Sequence, residues 1–316
     1  MMLNDEIFPD VFAVFNHLKE LGWLGIPFHT PPCFEVMELY DNRMAAAPMP
    51  MLPLYRGESE FHKCCVPSLY RRKWSELASL ERQVQLEDFR LILQTNPEIR
   101  EMEDAGLIVN YNGLAQHYGI ETNILDVTNS FLVAAFFATT TYDALQDVYK
   151  PILHTVSSGV IYFFPSGSFL NFGQYAPIWP IGLEALRRPG EQRGFGVEMD
   201  NVRNDLNHYP GVHTFRFWHS PQASLEIWRR TKGGMDLFPF DPMAEKVRNM
   251  RKYRIYSDEG FYVACNKMGI SMLDVTNVRN HLIQDGCTFV EKLPFAYTDK
   301  ESDYIYNLFK QKYPGN

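Results

Sequence analysis

The chain has 316 residues, 46% of them apolar and 22% charged, with a formal net charge of −8. A chain of this length can bury about three quarters of its unfolded surface, and the composition is that of a globular protein rather than a disordered or fibrous one. The acidic balance argues against broad nucleic-acid binding, which calls for a basic stripe. The one dense basic run, Arg71-Arg72-Lys73, reads as a solvated helix start.

Apolar residues at Phe8, Val11, Phe12, Phe15, Leu18 and Leu21 predict a helix over 5–21 that Gly22 ends. The Pro- and Met-rich stretch from Pro27 to Pro53 reads as an irregular wrap with a short helix at Phe34–Leu39, and a strand is expected from Leu52 to Arg56. Ser75 is placed to cap a helix through Leu93, and Pro97 to open another that Gly106 ends. Gly113–Tyr118 forms a short helical piece closed by Gly119. Thr128 or Asn129 then caps an apolar helix over 130–142, expected to be buried on nearly all sides. Within it, Phe131–Ala138 is the longest apolar run. It is far shorter than the roughly 20 residues of a membrane span.

Gly159–Phe164 reads as a strand, 165–215 as long irregular connections, and His213–Trp218 as a second strand. Helical patterns return at 222–230, 243–252, 276–284 and 301–312. Helices and strands interleave without the regular alternation of a doubly wound sheet. The class is therefore α+β, a small mixed or antiparallel sheet with surrounding helices. The pentapeptide Leu125–Asn129 recurs as Leu273–Asn277, and both copies suit a strand end before a capped helix. Their flanks do not align, so local convergence is favoured over duplication.

The five cysteines form no C-x-x-C pair, and no signal pattern opens the chain. Reduced thiols in a cytoplasmic protein are the simple expectation. Nucleotide P-loop, dinucleotide, zinc-protease and hydrolase-elbow motifs are absent. His208, His213 and His219 are spaced for no standard metal site.

Two segments place strongly polar groups in apolar settings. In Tyr55-Arg56-Gly57-Glu58, a guanidinium at a strand end stands beside a backbone that a ligand can approach closely. Arg56 suits a phosphate or carboxylate, or equally a buried acidic partner. In Gln116-His117-Tyr118-Gly119, three consecutive helical side chains cannot all face the core. His117 is placed either as a general acid or base or as a brace for the loop through Asp126, itself a candidate helix cap.

Taken together these residues resemble the FRG domain. Tyr55-Arg56-Gly57 stands for its Phe-Arg-Gly start, with Tyr for Phe. The run Gln116-His-Tyr-Gly-Ile-Glu-Thr-Asn-Ile-Leu-Asp-Val-Thr128 is similar to Q-H-x-G-x-P-T-R-L-L-D-W-T, and Phe131–Ala138 to the helix P-L-V-A-L-F-F-A. Arg188, Gln192, Gly194 and Phe195 look like a later family segment. The resemblance covers roughly residues 50 to 200, giving a division into 1–50, an N-terminal helix and wrap, 51–200, the FRG-type domain, and 201–316, a C-terminal α+β extension. Glu121, Asn123, Val127 and Phe131 depart from the pattern, and Asn123 removes a cation.

The resemblance implies an ADP-ribosyltransferase-like core and links to prophage, toxin and defence-type proteins. NAD or a related nucleotide becomes the candidate substrate. On this reading Arg56, His117 and Gln192 are the catalytic candidates, with Gln192 or Glu191 at the ribose hydroxyls. Ligand contacts are expected from Tyr55, Gly57, Glu58, Gln116, Tyr118, Thr122, Asp126, Thr128, Arg188 and Phe195. Two alternatives stand beside it. One is a non-catalytic module for a small anionic ligand or a protein partner. The other is a purely structural polar network of Gln116, His117, Asp126 and Arg188.

Overall fold

A computed structural model describes residues 7–24, 33–39, 42–51, 53–165, 178–199, 205–209 and 211–312, the last four without their side chains. Leu52 and parts of the wrap and of the 165–215 connections lie outside the described residues. Helix α1 (Val11–Glu20) starts later than its apolar stripe. Asp10 sets the start by accepting from the Ala13 N–H at 2.9 Å, while Phe8 bridges to Phe217. Cys33–Glu38 is a strand, β1, where a short helix was expected. It pairs antiparallel with β2 (Met44–Met49) along its whole length, and that pairing outweighs weak local propensity.

Next come β3 (Leu54–Glu58) and α2 (Glu76–Gln94), with Ser75 capping α2 through the Ala78 N–H. Arg71–Lys73 precede this helix rather than opening it. Asn96 caps α3 (Pro97–Asp104) and Asn110 caps α4 (Tyr111–His117). After β4 (Ile124–Thr128), α5 (Phe131–Thr139) is capped by Ser130, not by Thr128 or Asn129. The Asn129 amide instead donates to the carbonyls of Pro48 and Pro50. Helix α5 also ends three residues early. The Thr139 and Thr140 hydroxyls donate to the Ala135 and Phe136 carbonyls, and the β-branched run that follows enters a hairpin, β5 (Thr140–Asp143) and β6 (Val148–Pro151).

The remaining elements are β7 (Ser158–Phe164), β8 (Ile178–Pro180), α6 (Arg187–Glu191), β9 (Gly194–Glu198), β10 (His213–Trp218), α7 (Pro221–Arg230), α8 (Pro242–Tyr253), β11 (Ile255–Ser257), α9 (Asp258–Lys267), α10 (Val275–Gln284), β12 (Thr288–Val290) and α11 (Asp299–Lys312). Helix α9 was not read from the sequence; its buried face consists of Gly260, Phe261, Ala264 and Cys265. The two Leu-Asp-Val-Thr-Asn copies take different structures. The first runs along β4, whereas the second enters α10 at Val275 with Leu273 exposed.

Six strands form one sheet in the order β10-β7-β3-β4-β9-β8, antiparallel at every neighbour. The fold is thus α+β with an antiparallel sheet. Successive side chains of β7 alternate between two cores. Ile161 and Phe163 join α1, α5 and α7, while Val160, Tyr162 and Phe164 join Leu54, Leu125 and Phe195. A third core gathers α2, α3, α4 and α8 to α10. No described helix is long and apolar enough to cross a membrane.

Helix α5 reaches the sheet at Gly57, where an added Cβ would lie 1.8 Å from the Ala134 carbonyl oxygen. On the other side, α2 holds the C-terminal helices through polar contacts. Glu81 accepts from Arg254 and Tyr256, Glu87 pairs with Lys267, and the fully buried Asp88 accepts from the Ser257 N–H at 2.7 Å and from its hydroxyl.

Burial, opposed by the Ser257 hydrogen bonds, pushes the Asp88 carboxyl up to about 6 from its ordinary 3.8. The fold therefore favours the protonated form. The stability Asp88 lends is full below about pH 4 and is lost as pH rises through 6, a change of roughly 3 kcal/mol. Urea denaturation of the wild type and Asp88→Asn at pH 4 and pH 7 should show the difference between them shifting by that amount in the variant's favour. A difference that stays constant with pH would refute it.

Candidate functional site

The ladder between β3 and β4 consists of a single pair, Tyr55 opposite Thr128. Where the backbones stop pairing, a side chain takes over: Arg56 donates from Nη1 to the Asp126 carbonyl at 2.7 Å. A two-lobed cleft opens beside this seam. The larger lobe holds about 800 Å³ and the smaller about 400 Å³, and His117, Asp126, Phe137, Tyr142, Tyr149 and Gln192 line both.

Arg56, expected to hold an anion, is already engaged. Its Nε and Nη2 reach Glu58 Oε1 at 3.1 and 2.7 Å, and both side chains are largely buried. Burial alone would raise the Glu58 pKa, but the Arg56 charge and hydrogen bond outweigh it and hold the carboxylate below its ordinary value. Burial pushes the neighbouring Cys65 thiol up to about 11, against the lowering pull of Arg56. The pair is a buried clamp on the small lobe. Tyr55 and Gly57 line the same lobe, Tyr55 from the core and Gly57 under α5.

His117, at the end of α4, lies between two acceptors. Its Nδ1 is 3.1 Å from Gln192 Oε1, and its Nε2 is 3.5 Å from Asp126 Oδ1. Both Nε2 and Oδ1 are buried and make no hydrogen bond. The ring rests against Gly194, where an added Cβ would come 2.6 Å from Nε2. Asp126, proposed as a helix cap, sits inside β4 with its side chain a third exposed. Thr128 donates its hydroxyl to the Gln192 carbonyl at 2.8 Å and accepts from the Ser130 N–H.

Gln116 and Tyr118 line the large lobe and also bond within the framework. Gln116 Oε1 accepts from the Ser68 hydroxyl and from the Thr122 N–H and hydroxyl, tying the loop before β4. Tyr118 donates its hydroxyl to Asp241 Oδ2 at 2.5 Å, and burial with that carboxylate raises its pKa well above the ordinary value. Phe195 is fully buried in the opposite core and lines neither lobe. Glu191 lines a separate cavity of about 490 Å³. The four-residue network of Gln116, His117, Asp126 and Arg188 does not form as one satisfied unit, since buried atoms of His117, Asp126 and Arg188 remain without partners.

Arg188 of α6 lines the large lobe, with its backbone N–H donating to Asp241 Oδ2 at 3.4 Å. Its guanidinium lies 4.7 Å from the Phe238 ring and 5.8 Å from that of Tyr118, with Nε buried and unpartnered. Among the described residues no carboxylate pairs with it, while Arg248 is paired to Asp147 and Arg251 donates to the Gly119 carbonyl.

Sequence reasoning missed Leu237, whose carbonyl accepts from Gln192, and Phe238 and Asp241, which the segment between α7 and α8 brings to the cleft. Gly233-Gly234, both at positive φ, was its one signal. Among the described residues no group of three or more His, Cys, Asp or Glu side chains is placed to hold a metal.

Residues 53–147 match the family model of the FRG domain, and the chain carries an FRG domain over that span. The match takes in β3, α2, α3, α4, β4, α5 and the start of the hairpin, including His117 and Asp126. Arg188, Gln192 and the segment at 231–241 lie beyond it. No curated protein and no solved structure matches the chain significantly.

Removing one partner of a buried ion pair leaves an uncompensated charge, whereas replacing both with apolar groups of similar size is far milder. Arg56→Ala should therefore cost about 3–5 kcal/mol in urea denaturation, and Arg56→Met combined with Glu58→Leu should recover most of it. An Arg56→Ala protein as stable as wild type would contradict the clamp.

Proposed function

We propose that the cleft binds an anionic nucleotide, NAD being the first candidate, and acts on it in an ADP-ribosyltransferase-like manner. The observation that carries this reading is Arg188, an unpaired guanidinium in the same cleft as His117 and Asp126. A guanidinium without a protein partner is a ready site for phosphate oxygens. The cleft volume lies in the range of small-molecule sites. Tyr142, Tyr149 and Phe238 offer aromatic surface for a base or nicotinamide.

In this reading the nucleotide lays its phosphates at Arg188 and its ribose toward the seam between the lobes. The Asp126 carboxylate faces the positive charge that develops on the ribose as its bond to nicotinamide breaks. Arg56 and Glu58 shape the small lobe and do not touch phosphate. The FRG-type unit is taken as 51–200, flanked by 1–50 and 201–316. The free cysteines, three of them buried, fit a reducing cytoplasmic setting. A place in defence or toxin-type pathways is drawn from the family.

Thermal shift with millimolar NAD on wild type and Arg188→Ala tests the site. Ligand at a hundredfold excess over its dissociation constant stabilises by about 2.7 kcal/mol, a readily measured rise in Tm. The rise should appear in wild type and be lost in the variant, with free nicotinamide detected chromatographically in the wild-type incubation. Saturable binding without nicotinamide would make the protein a non-catalytic nucleotide-binding module. An unchanged wild-type Tm would sink the nucleotide reading.

A further inference from the structure

Gln192 was expected to contact the ligand directly; its bonding gives it another task. An amide oxygen and nitrogen are told apart by their partners, and here one partner decides. Gln192 Nε2 lies 3.0 Å from the Leu237 carbonyl, an acceptor and never a donor. The nitrogen therefore belongs at Leu237, which leaves Oε1 at His117 Nδ1, 3.1 Å away. The carbonyl of Gln192 takes the Thr128 hydroxyl and its N–H bonds the Arg188 carbonyl, so the residue is fixed along backbone and side chain alike.

An amide oxygen can only accept, so Nδ1 must donate. We infer that Gln192 is a positioning residue that fixes a proton on His117 Nδ1 and leaves Nε2, turned toward Asp126, as the lone-pair nitrogen of the neutral ring. In the neutral ring Nε2 is then a lone pair 3.5 Å from a carboxylate oxygen, and neither atom has another partner. A ligand hydroxyl entering between these two facing acceptors would donate to one of them. Gly194 leaves the imidazole no room for a side chain behind it. The chain of contacts runs Leu237 to Gln192 to His117 to Asp126, so the segment between α7 and α8 sets the chemistry of a histidine within the FRG domain.

This inference deepens the proposed reading of the cleft, and its use in catalysis rests on that reading, but its test does not. Long-range proton–nitrogen NMR of the ¹⁵N-histidine-labelled full chain at alkaline pH reports which ring nitrogen carries hydrogen. His117 is assigned by the signals lost in His117→Asn. The wild type should show Nδ1 protonated and Nε2 bare, and Gln192→Glu, which keeps an acceptor at Nδ1, should retain that pattern.

Gln192→Leu should move the hydrogen to Nε2, where Asp126 accepts it. A wild-type ring with its hydrogen on Nε2 would overturn the inference. So would a loss of the Nδ1 hydrogen in Gln192→Glu, or an unchanged ring in Gln192→Leu. The wild-type spectrum and Gln192→Glu decide the matter even where Gln192→Leu does not fold. Failure to bind NAD with the Nδ1 pattern present would remove the nucleotide and keep Gln192. NAD binding with the opposite pattern would do the reverse.

Discussion

Helix α5 can lie on the sheet as it does only because position 57 carries no side chain, and much of the site follows from that contact. The Ala134 carbonyl sits where a Cβ would be, and even one extra carbon in such a packed place forces backbone shifts. A second close approach occurs at Gly159, whose Cβ would be 2.9 Å from the Ala138 carbonyl. Held at these two points, the helix delivers the β5–β6 hairpin to the cleft, where Tyr142 and Tyr149 line both lobes. The short connection from β4 into α5, fixed by the Thr128 and Ser130 bonds, keeps Asp126 beside the seam.

The parting of β3 from β4 would leave backbone groups and a charged side chain without partners. Arg56 resolves both needs, giving one nitrogen to the Asp126 carbonyl and two to Glu58. Burying such a pair carries a desolvation cost that mutual attraction only partly offsets, so its return is geometry rather than stability. A guanidinium spent in this way is not free for an anion. Arg188, stacked on aromatic rings, keeps its donors. Arg56 lies inside the matched span, and Arg188, without an ion-pair partner among the described residues, lies outside it.

Legibility in the sequence followed the range of the interactions. The cap at Ser75, the opening of α3 at Pro97 and the close of α4 at Gly119 depend on neighbours a few residues away and were legible in the local pattern. Strand β1 depends on pairing with β2, and α9 on burial against α2 through Asp88 and Gly260, which no local period encodes. The pentapeptide found in both β4 and α10 makes the same point within five residues. At the site, His117 and Asp126 were visible as polar residues in apolar runs. Their arrangement was not, because Gln192 lies 75 residues from His117 and Leu237 a further 45 from Gln192.

The same distances bear on what the FRG segment can do by itself. Within residues 53–147 the sheet has only β3 and β4, joined by one residue pair. The partners that hold them flat come from β7, which pairs with all of β3, and β9, which pairs with all of β4. Asp126 stands opposite Gly196, and the His117 ring rests on Gly194, both in β9. A two-stranded unit is marginal in water, and one closed by a single pair has no means to hold Asp126 against His117. The matched segment therefore supplies His117 and Asp126, while the strands and loops beyond it supply the geometry that makes them face each other.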